Sequence, residues 1–190
     1  MYHLYQTPAF VLSAQNISEG SRLLCLFTRE LGLVRVHARS IREERSKLRG
    51  FLQPLSYAEV ALVRGKDLWR LTTAGAAASN LVVQSWPKER SLARIALVLE
   101  RLLSGEERDV LLYDELTMAI SFLPGLPEHD IVSWEVLVMA RLLSQLGYCD
   151  LSPFASLQSE SWGAPLLVRA REERRKLVPL VNQAMTASQL

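Results

Sequence analysis

The chain has 190 residues, of which 49% are hydrophobic and 22% charged, so it can bury a core as one domain or two small ones. Its two cysteines, Cys25 and Cys149, are isolated, and no Cys/His cluster has zinc-ligand spacing, so we expect neither disulfides nor a metal. No signal-peptide pattern and no apolar run of ~18 residues occurs, which predicts a cytoplasmic protein without a membrane partner.

The positive charge is concentrated in the first part of the chain. Residues 1–80 contain 11 Lys and Arg against 6 Asp and Glu, a balance of +5. The remaining residues contain 11 against 14, a balance of −3, which gives the overall +2. Such segregation favours a polyanion-binding surface on the first part.

Five short strands are predicted in the first part, at residues 9–14, 23–27, 33–39, 57–64 and 68–73. The second, LLCLF, is apolar on both faces, which is typical of a strand buried between a barrel interior and something packed outside. Gly65-Lys66-Asp67 predicts a tight hairpin turn between the last two strands. Five strands with one long excursion between the third and the fourth predict an OB-type barrel, with an SH3-like barrel as the alternative.

The second part has the apolar spacing of helices. Helices are predicted from Pro87 to Gly105 and over 112–123, 130–146 and 169–187, with an irregular segment at 148–165. Pro179 should kink or divide the last helix, whose REERRK run we interpret as a solvated, salt-bridged face. The predicted fold class is α+β: an N-terminal five-stranded OB-fold barrel, residues 1–78, followed by an α-helical domain, residues 79–190.

The stretch 32–54 has the pattern of a functional surface. Val34, Val36 and Ala38 alternate with cationic or near-cationic residues, so one face of this strand is apolar and the other basic. A basic loop follows, and the hairpin beyond it extends the charge. The candidate DNA-binding residues are Arg35, His37 and Arg39 on the strand, Arg42, Arg45, Lys47 and Arg49 on the loop, and Lys66 and Arg70 on the hairpin. The alternative is an ordinary solvated strand face.

No catalytic or cofactor-binding constellation is evident. The nucleotide-binding glycine patterns, the HExxH pair and the GxSxG elbow do not occur in the sequence. His37 lacks a nearby carboxylate to orient it, and Cys25 is interpreted as a core residue. Trp69 fits either a base-stacking role or, more often for a barrel strand, the core. Trp86, Trp134 and Trp162 are interpreted as helix-packing residues. We therefore predict that the chain is not an enzyme and needs no cofactor.

One segment carries a family resemblance. SEGSRLLCLFTRELG is followed by the basic run RSKLRG (residues 45–50) and then LQP (52–54), and this order resembles the N-terminal domain of the RecO family of bacterial recombination mediators. The similarity covers about residues 8–75. The segment VLVMARLLSQLGYCDLSP resembles the family's central helix and extends a weaker match to about residue 153.

The resemblance implies an OB-fold, a helical domain and a role in recombinational DNA repair. Proteins of this family bind single- and double-stranded DNA, anneal complementary strands without ATP and help load recombinase onto strands coated by single-strand-binding protein (SSB). Implied partners are RecR and the C-terminal tail of SSB. Two features depart from the family: only Cys149 stands where many members carry a four-cysteine zinc module, and the chain is short, which leaves the SSB-tail site in doubt.

Two other functional classes fit the basic face. The chain could be an OB-fold protein-interaction module that docks an acidic partner without binding DNA, or an OB-fold that binds structured RNA. Salt-sensitive binding of single-stranded DNA with no partner present would distinguish the mediator from the interaction module.

Overall fold

Five strands form the N-terminal part of the computed structural model, which describes residues 3–17, 19–39, 50–77 and 85–188. The strands are β1 (Leu4–Asn16), β2 (Arg22–Thr28), β3 (Gly32–Ala38), β4 (Tyr57–Arg64) and β5 (Trp69–Ala76). They close into a barrel in the order β1-β2-β3-β5-β4, with β4 pairing back onto β1. This is the predicted OB-fold, and the SH3-like alternative is wrong.

The barrel closes through one short parallel contact. All other neighbouring strands are antiparallel, whereas β3 and β5 run parallel and pair only at Val36 with Trp69 and at His37 with Arg70. β3 ends at Ala38, one residue after the second pair, and a cleft beside this end is lined by His37 and Arg39 together with residues of β4 and β5.

The barrel interior follows from the alternation along the strands. Val34, Val36 and Ala38 point inward and are at most 1% exposed, as predicted, and Leu52 fills the same core. The LLCLF strand is buried on both faces, also as predicted. Leu24 and Leu26 lie inside the barrel. Phe27 packs outside it against Tyr113, with their ring centroids 5.4 Å apart.

The second part of the chain is helical. Its helices are α1 (Trp86–Leu102), α2 (Val110–Phe122), α3 (Ile131–Gln145), α4 (Ala155–Ser159) and α5 (Ala164–Ala187). The short helix α4 lies within the segment predicted to be irregular. Helix α5 begins five residues earlier than predicted and is not divided at Pro179. Within the REERRK run, Lys176 pairs with Glu173 at 2.8 Å, as predicted.

The tryptophans of the helical part differ in burial. Trp134 is fully buried, as predicted, and its indole N–H donates to the carbonyl of Ala119 at 3.0 Å. The prediction for Trp86 is wrong. Its side chain is 69% exposed because it lies at the first residue of α1, with Arg90 one turn further on against its ring.

The chain divides into two compact units, and each unit is made of two separate stretches of the sequence. One comprises residues Met1–Val82 and Leu99–Tyr113, and the other comprises Val83–Val98 and Asp114–Leu190. The boundary expected near residue 78 stays a prediction. Among the helices that the structure describes, none has the length and apolar character needed to cross a membrane.

Candidate nucleic-acid interface

A tight turn presents the basic hairpin between β4 and β5. The N–H of Gly65 donates to the carbonyl of Leu68 at 3.1 Å, and a Cβ on Gly65 would lie only 2.2 Å from that oxygen. Glycine is therefore required for so close an approach of the two backbones. The turn leaves Lys66, Asp67 and Leu68 exposed at its tip.

The hairpin and the end of β3 enclose a basic groove of about 510 Å³. The pairing of His37 with Arg70 fixes the register between β3 and β5, and this brings the outward-facing residues at the end of β3 beside those of β5. We define the basic groove by its polar lining: His37, Arg39, Arg64, Lys66, Asp67 and Arg70. Four Lys or Arg side chains thus face one acidic residue, an arrangement suited to binding the phosphates of a polyanion.

A second cavity, of about 340 Å³, adjoins the basic groove. It shares three residues with the groove, His37, Arg39 and Arg70, and adds Val63, Leu71 and Thr72. We call it the apolar cleft, because two aliphatic side chains form part of its wall. It lies beside the last pair of β3 and β5, His37 with Arg70, since both residues line it.

Trp69 supports the groove from inside the barrel. It is 4% exposed and belongs to the core, as predicted, so it is not a stacking platform for bases. Its indole N–H donates to the carboxylate of Glu106 at 2.9 Å. Its ring packs edge-on against Tyr5, with the two ring centroids 5.2 Å apart. Glu106 also pairs with Arg64 at 3.1 Å, which holds that guanidinium 5.5 Å from the Trp69 ring.

The structure brings together four of the predicted residues: His37, Arg39, Lys66 and Arg70 line the same groove. Arg35 lines a different cavity, of about 60 Å³, with Cys25 and Glu100. Burial, together with the nearby Glu100 carboxylate, raises the pKa of the Cys25 thiol to about 12, while Arg35 opposes this shift. Cys25 is therefore an inert thiol, consistent with its predicted place in the core.

The loop residues Arg42, Arg45, Lys47 and Arg49 lie outside the described residues, so their role stays a prediction. Arg64 lines the groove but was not among the candidates. Its position immediately before Gly65 was the available signal, because the last residue of a strand lies beside the turn that follows it.

The described part of the chain has no group of three or more His, Cys, Asp or Glu residues that could hold a metal ion. What the basic groove offers chemically is attraction for anions and hydrogen-bond donors for phosphate oxygens. These interactions support binding and orientation of a ligand.

Comparison with known proteins identifies relatives. Residues 1–80 match the family described as "Recombination protein O N terminal". The DNA repair protein RecO of Heliobacterium modesticaldum is 34% identical over 150 residues, which are 77% of this chain and 52% of that protein. A DNA repair protein RecO of Dehalococcoides mccartyi is 34% identical over 105 residues, 55% of this chain and 42% of that protein. The one from Clostridium perfringens is 26% identical over 149 residues, 76% of this chain and 59% of that protein. The chain thus spans about half the length of the curated relatives it matches.

Proposed function

Residues 1–80 match the N-terminal domain of the RecO family, and from this match we propose that the chain is a DNA-binding recombination mediator in DNA repair. The single observation that carries the proposal is the basic groove, in which four Lys or Arg side chains from β4, β5, their turn and the end of β3 converge. Single-stranded DNA would follow this groove with its phosphates against the cations. Binding of this kind depends strongly on salt and weakly on sequence.

Strand annealing follows from the same charge distribution. Two complementary strands repel each other through their phosphates, and a basic surface that binds one strand lowers the repulsion felt by the second. No catalytic group or cofactor is needed for this step. The loop residues Arg42, Arg45, Lys47 and Arg49 would lengthen the track beyond Arg39.

The partners we propose follow from the family. RecR and the acidic C-terminal tail of SSB would act with this chain to load recombinase onto SSB-coated DNA. A fluorescence-polarisation titration with a labelled SSB-tail peptide, and a pull-down with purified RecR, test these two partners separately from DNA binding. A peptide that binds no more tightly than a scrambled sequence would contradict the SSB contact.

An acidic protein segment is the second candidate ligand, because Arg64 in the groove already pairs with one carboxylate, that of Glu106. On this reading the module docks a protein and does not bind DNA. Titration with single-stranded DNA in the absence of any partner distinguishes the two, since only the mediator binds under these conditions.

The test is a charge reversal with a matched control. In Arg39→Glu/Arg70→Glu both changes lie in the groove, and we expect single-stranded DNA affinity to fall at least about tenfold, with a flatter dependence on salt. The control is Arg174→Glu/Arg175→Glu, which makes the same change in net charge on exposed positions of α5. Equal losses in both variants, each shown to be folded by circular dichroism, would contradict the groove as the DNA site.

A further inference from the structure

The apolar cleft differs in chemistry from the basic groove beside it. Val63 and Leu71 are half-buried, and Leu71 packs partly against the barrel core, so the wall of the cleft is continuous with apolar packing. His37, Arg39, Arg70 and Thr72 form the rest of its lining. A phosphate placed in the cleft would lose hydration against aliphatic carbon, which is unfavourable for an anion.

A ligand that fits must therefore combine an uncharged, largely apolar group with an adjacent negative charge. A nucleotide has this composition, because its base presents planar faces of low polarity and its phosphate lies next to the sugar. The cleft volume of about 340 Å³ is within the range of small-ligand sites. The three residues shared between cleft and groove place phosphate-binding side chains directly beside the apolar wall.

We propose that the apolar cleft binds one unpaired nucleobase of single-stranded DNA, while Arg39 and Arg70 bind the phosphates on either side of it. The inference rests on the proposed function and extends it, because it adds to the phosphate contacts one contact that only a single strand can make. In a duplex the bases are stacked and paired inside the helix, so none can enter the cleft without the cost of flipping it out.

The test compares two oligonucleotides that have the same length and charge: an oligothymidylate and an abasic strand whose nucleotides lack bases. We expect the abasic strand to bind about fivefold more weakly, the effect of one modest apolar contact. The salt dependence of the two should be the same, because both present the same number of phosphates.

Variants of the cleft wall assign the difference to this site. Val63→Thr preserves the shape of the side chain and replaces a methyl group by a hydroxyl, and Leu71→Ala removes part of the wall. Both should bring the two oligonucleotides to nearly equal affinity by weakening the oligothymidylate alone. The matched control is Leu111→Ala, at a leucine that is 76% exposed on α2 and outside the cleft, where the difference should persist. Thermal unfolding of each variant identifies any loss caused by misfolding, to which Val63→Thr is the less prone.

The outcomes separate the two proposals. Equal, salt-sensitive binding of both oligonucleotides to the wild-type chain would overturn the base site and leave the mediator function standing. The base site is also overturned if the preference for oligothymidylate survives in folded Val63→Thr and Leu71→Ala. If neither oligonucleotide binds in a salt-sensitive way, the proposed function fails and the base site fails with it.

Discussion

The indole nitrogen of Trp69 donates a hydrogen bond to one carboxylate oxygen of Glu106 at 2.9 Å. The other oxygen of Glu106 pairs with Arg64 at 3.1 Å, so one acidic side chain connects a core residue of β5 to the edge of the basic groove. Glu106 belongs to the connection between α1 and α2, which also contacts β3 through the hydrogen bond from the Leu33 N–H to the Gly105 carbonyl, at 3.0 Å. The carboxylate both positions Arg64 and competes with any phosphate for it.

Replacing Glu106 by Gln tests this competition. Glutamine keeps an acceptor for Trp69 but removes the charge that neutralises Arg64, so we expect single-stranded DNA affinity to rise about threefold, with a steeper salt dependence, because one more cation becomes available. The free energy of unfolding should change by less than about 1 kcal/mol, since the side chains of Arg64 and Glu106 are 67% and 41% exposed and glutamine keeps the acceptor for Trp69. Fluorescence polarisation over a salt series measures the first effect.

The neighbouring Glu107→Gln is the control for Glu106→Gln, because it makes the same charge change on the same connection. If the two variants gained affinity equally, the effect would come from net charge and not from release of Arg64. In an Arg64→Ala background, Glu106→Gln should lose most of its effect, as expected for two residues that act through one contact.

Gly32→Ala should destabilise the chain. Gly32 has a φ of +68°, and a Cβ there would lie 2.1 Å from the carbonyl oxygen of Glu107, so alanine adds both backbone strain and a clash with backbone that cannot easily move. We expect a loss of about 2–4 kcal/mol, measured by urea denaturation. Gly147→Ala is the control: φ is +80°, yet nothing lies within 4 Å, so strain alone should cost about 1 kcal/mol. Similar losses at the two positions would exclude the clash as the cause.

Arg141 is a buried cation whose removal should be costly. It is 4% exposed, and its guanidinium donates to Glu115 at 3.0 Å and to the carbonyls of Leu157 and Glu160, each at 2.6 Å. Arg141→Ala leaves three acceptors without this donor, so we expect a loss of about 3–5 kcal/mol in the free energy of unfolding.

Lysine should not restore the stability lost in Arg141→Ala, because a single ammonium cannot reproduce the planar arrangement of donors that reaches three acceptors. Arg169→Ala is the matched control, at an arginine that is 45% exposed and pairs with Glu160. Its loss should stay below about 1 kcal/mol. Full stability of Arg141→Lys in urea denaturation would contradict the role assigned to the guanidinium.

The two thiols should differ in reactivity. Burial raises the pKa of Cys25 to about 12, so its thiol stays protonated and protected up to that pH in the folded chain. In the unfolded chain the thiol loses its proton from about pH 8.5. The contribution of Cys25 to the free energy of unfolding therefore decreases as the pH rises above that value. Burial and the nearby Asp150 carboxylate also raise the pKa of Cys149, which is only half-buried.

A thiol-reactive chromophore at pH 8 should therefore label one cysteine slowly in the native chain and both quickly in denaturant. Cys149→Ser should abolish the native labelling, whereas Cys25→Ser should leave it intact. Rapid native labelling of Cys149→Ser would show that Cys25 is accessible and would contradict its burial.

The sequence by itself determined the features that depend on local periodicity. The inward set Val34, Val36 and Ala38 was predictable because successive side chains of a strand point to opposite faces, whatever the rest of the fold does. The buried second strand followed from its apolar residues on both faces. The hairpin at Gly65 followed from the turn residues that precede β5. The RSKLRG and LQP motifs pointed to the family directly.

Tertiary structure alone decided which outward residues form a site. Arg35 and His37 share one face of β3 by alternation, yet Arg35 lies beside Cys25 and Glu100, while His37 lies beside Arg70. That separation depends on how the barrel closes and on which segment packs against its wall. The alternation of side chains along a strand predicts neither of these. The contact between Trp69 and Glu106 spans 37 positions of the sequence, so no local pattern could have joined the acidic connection to the basic groove.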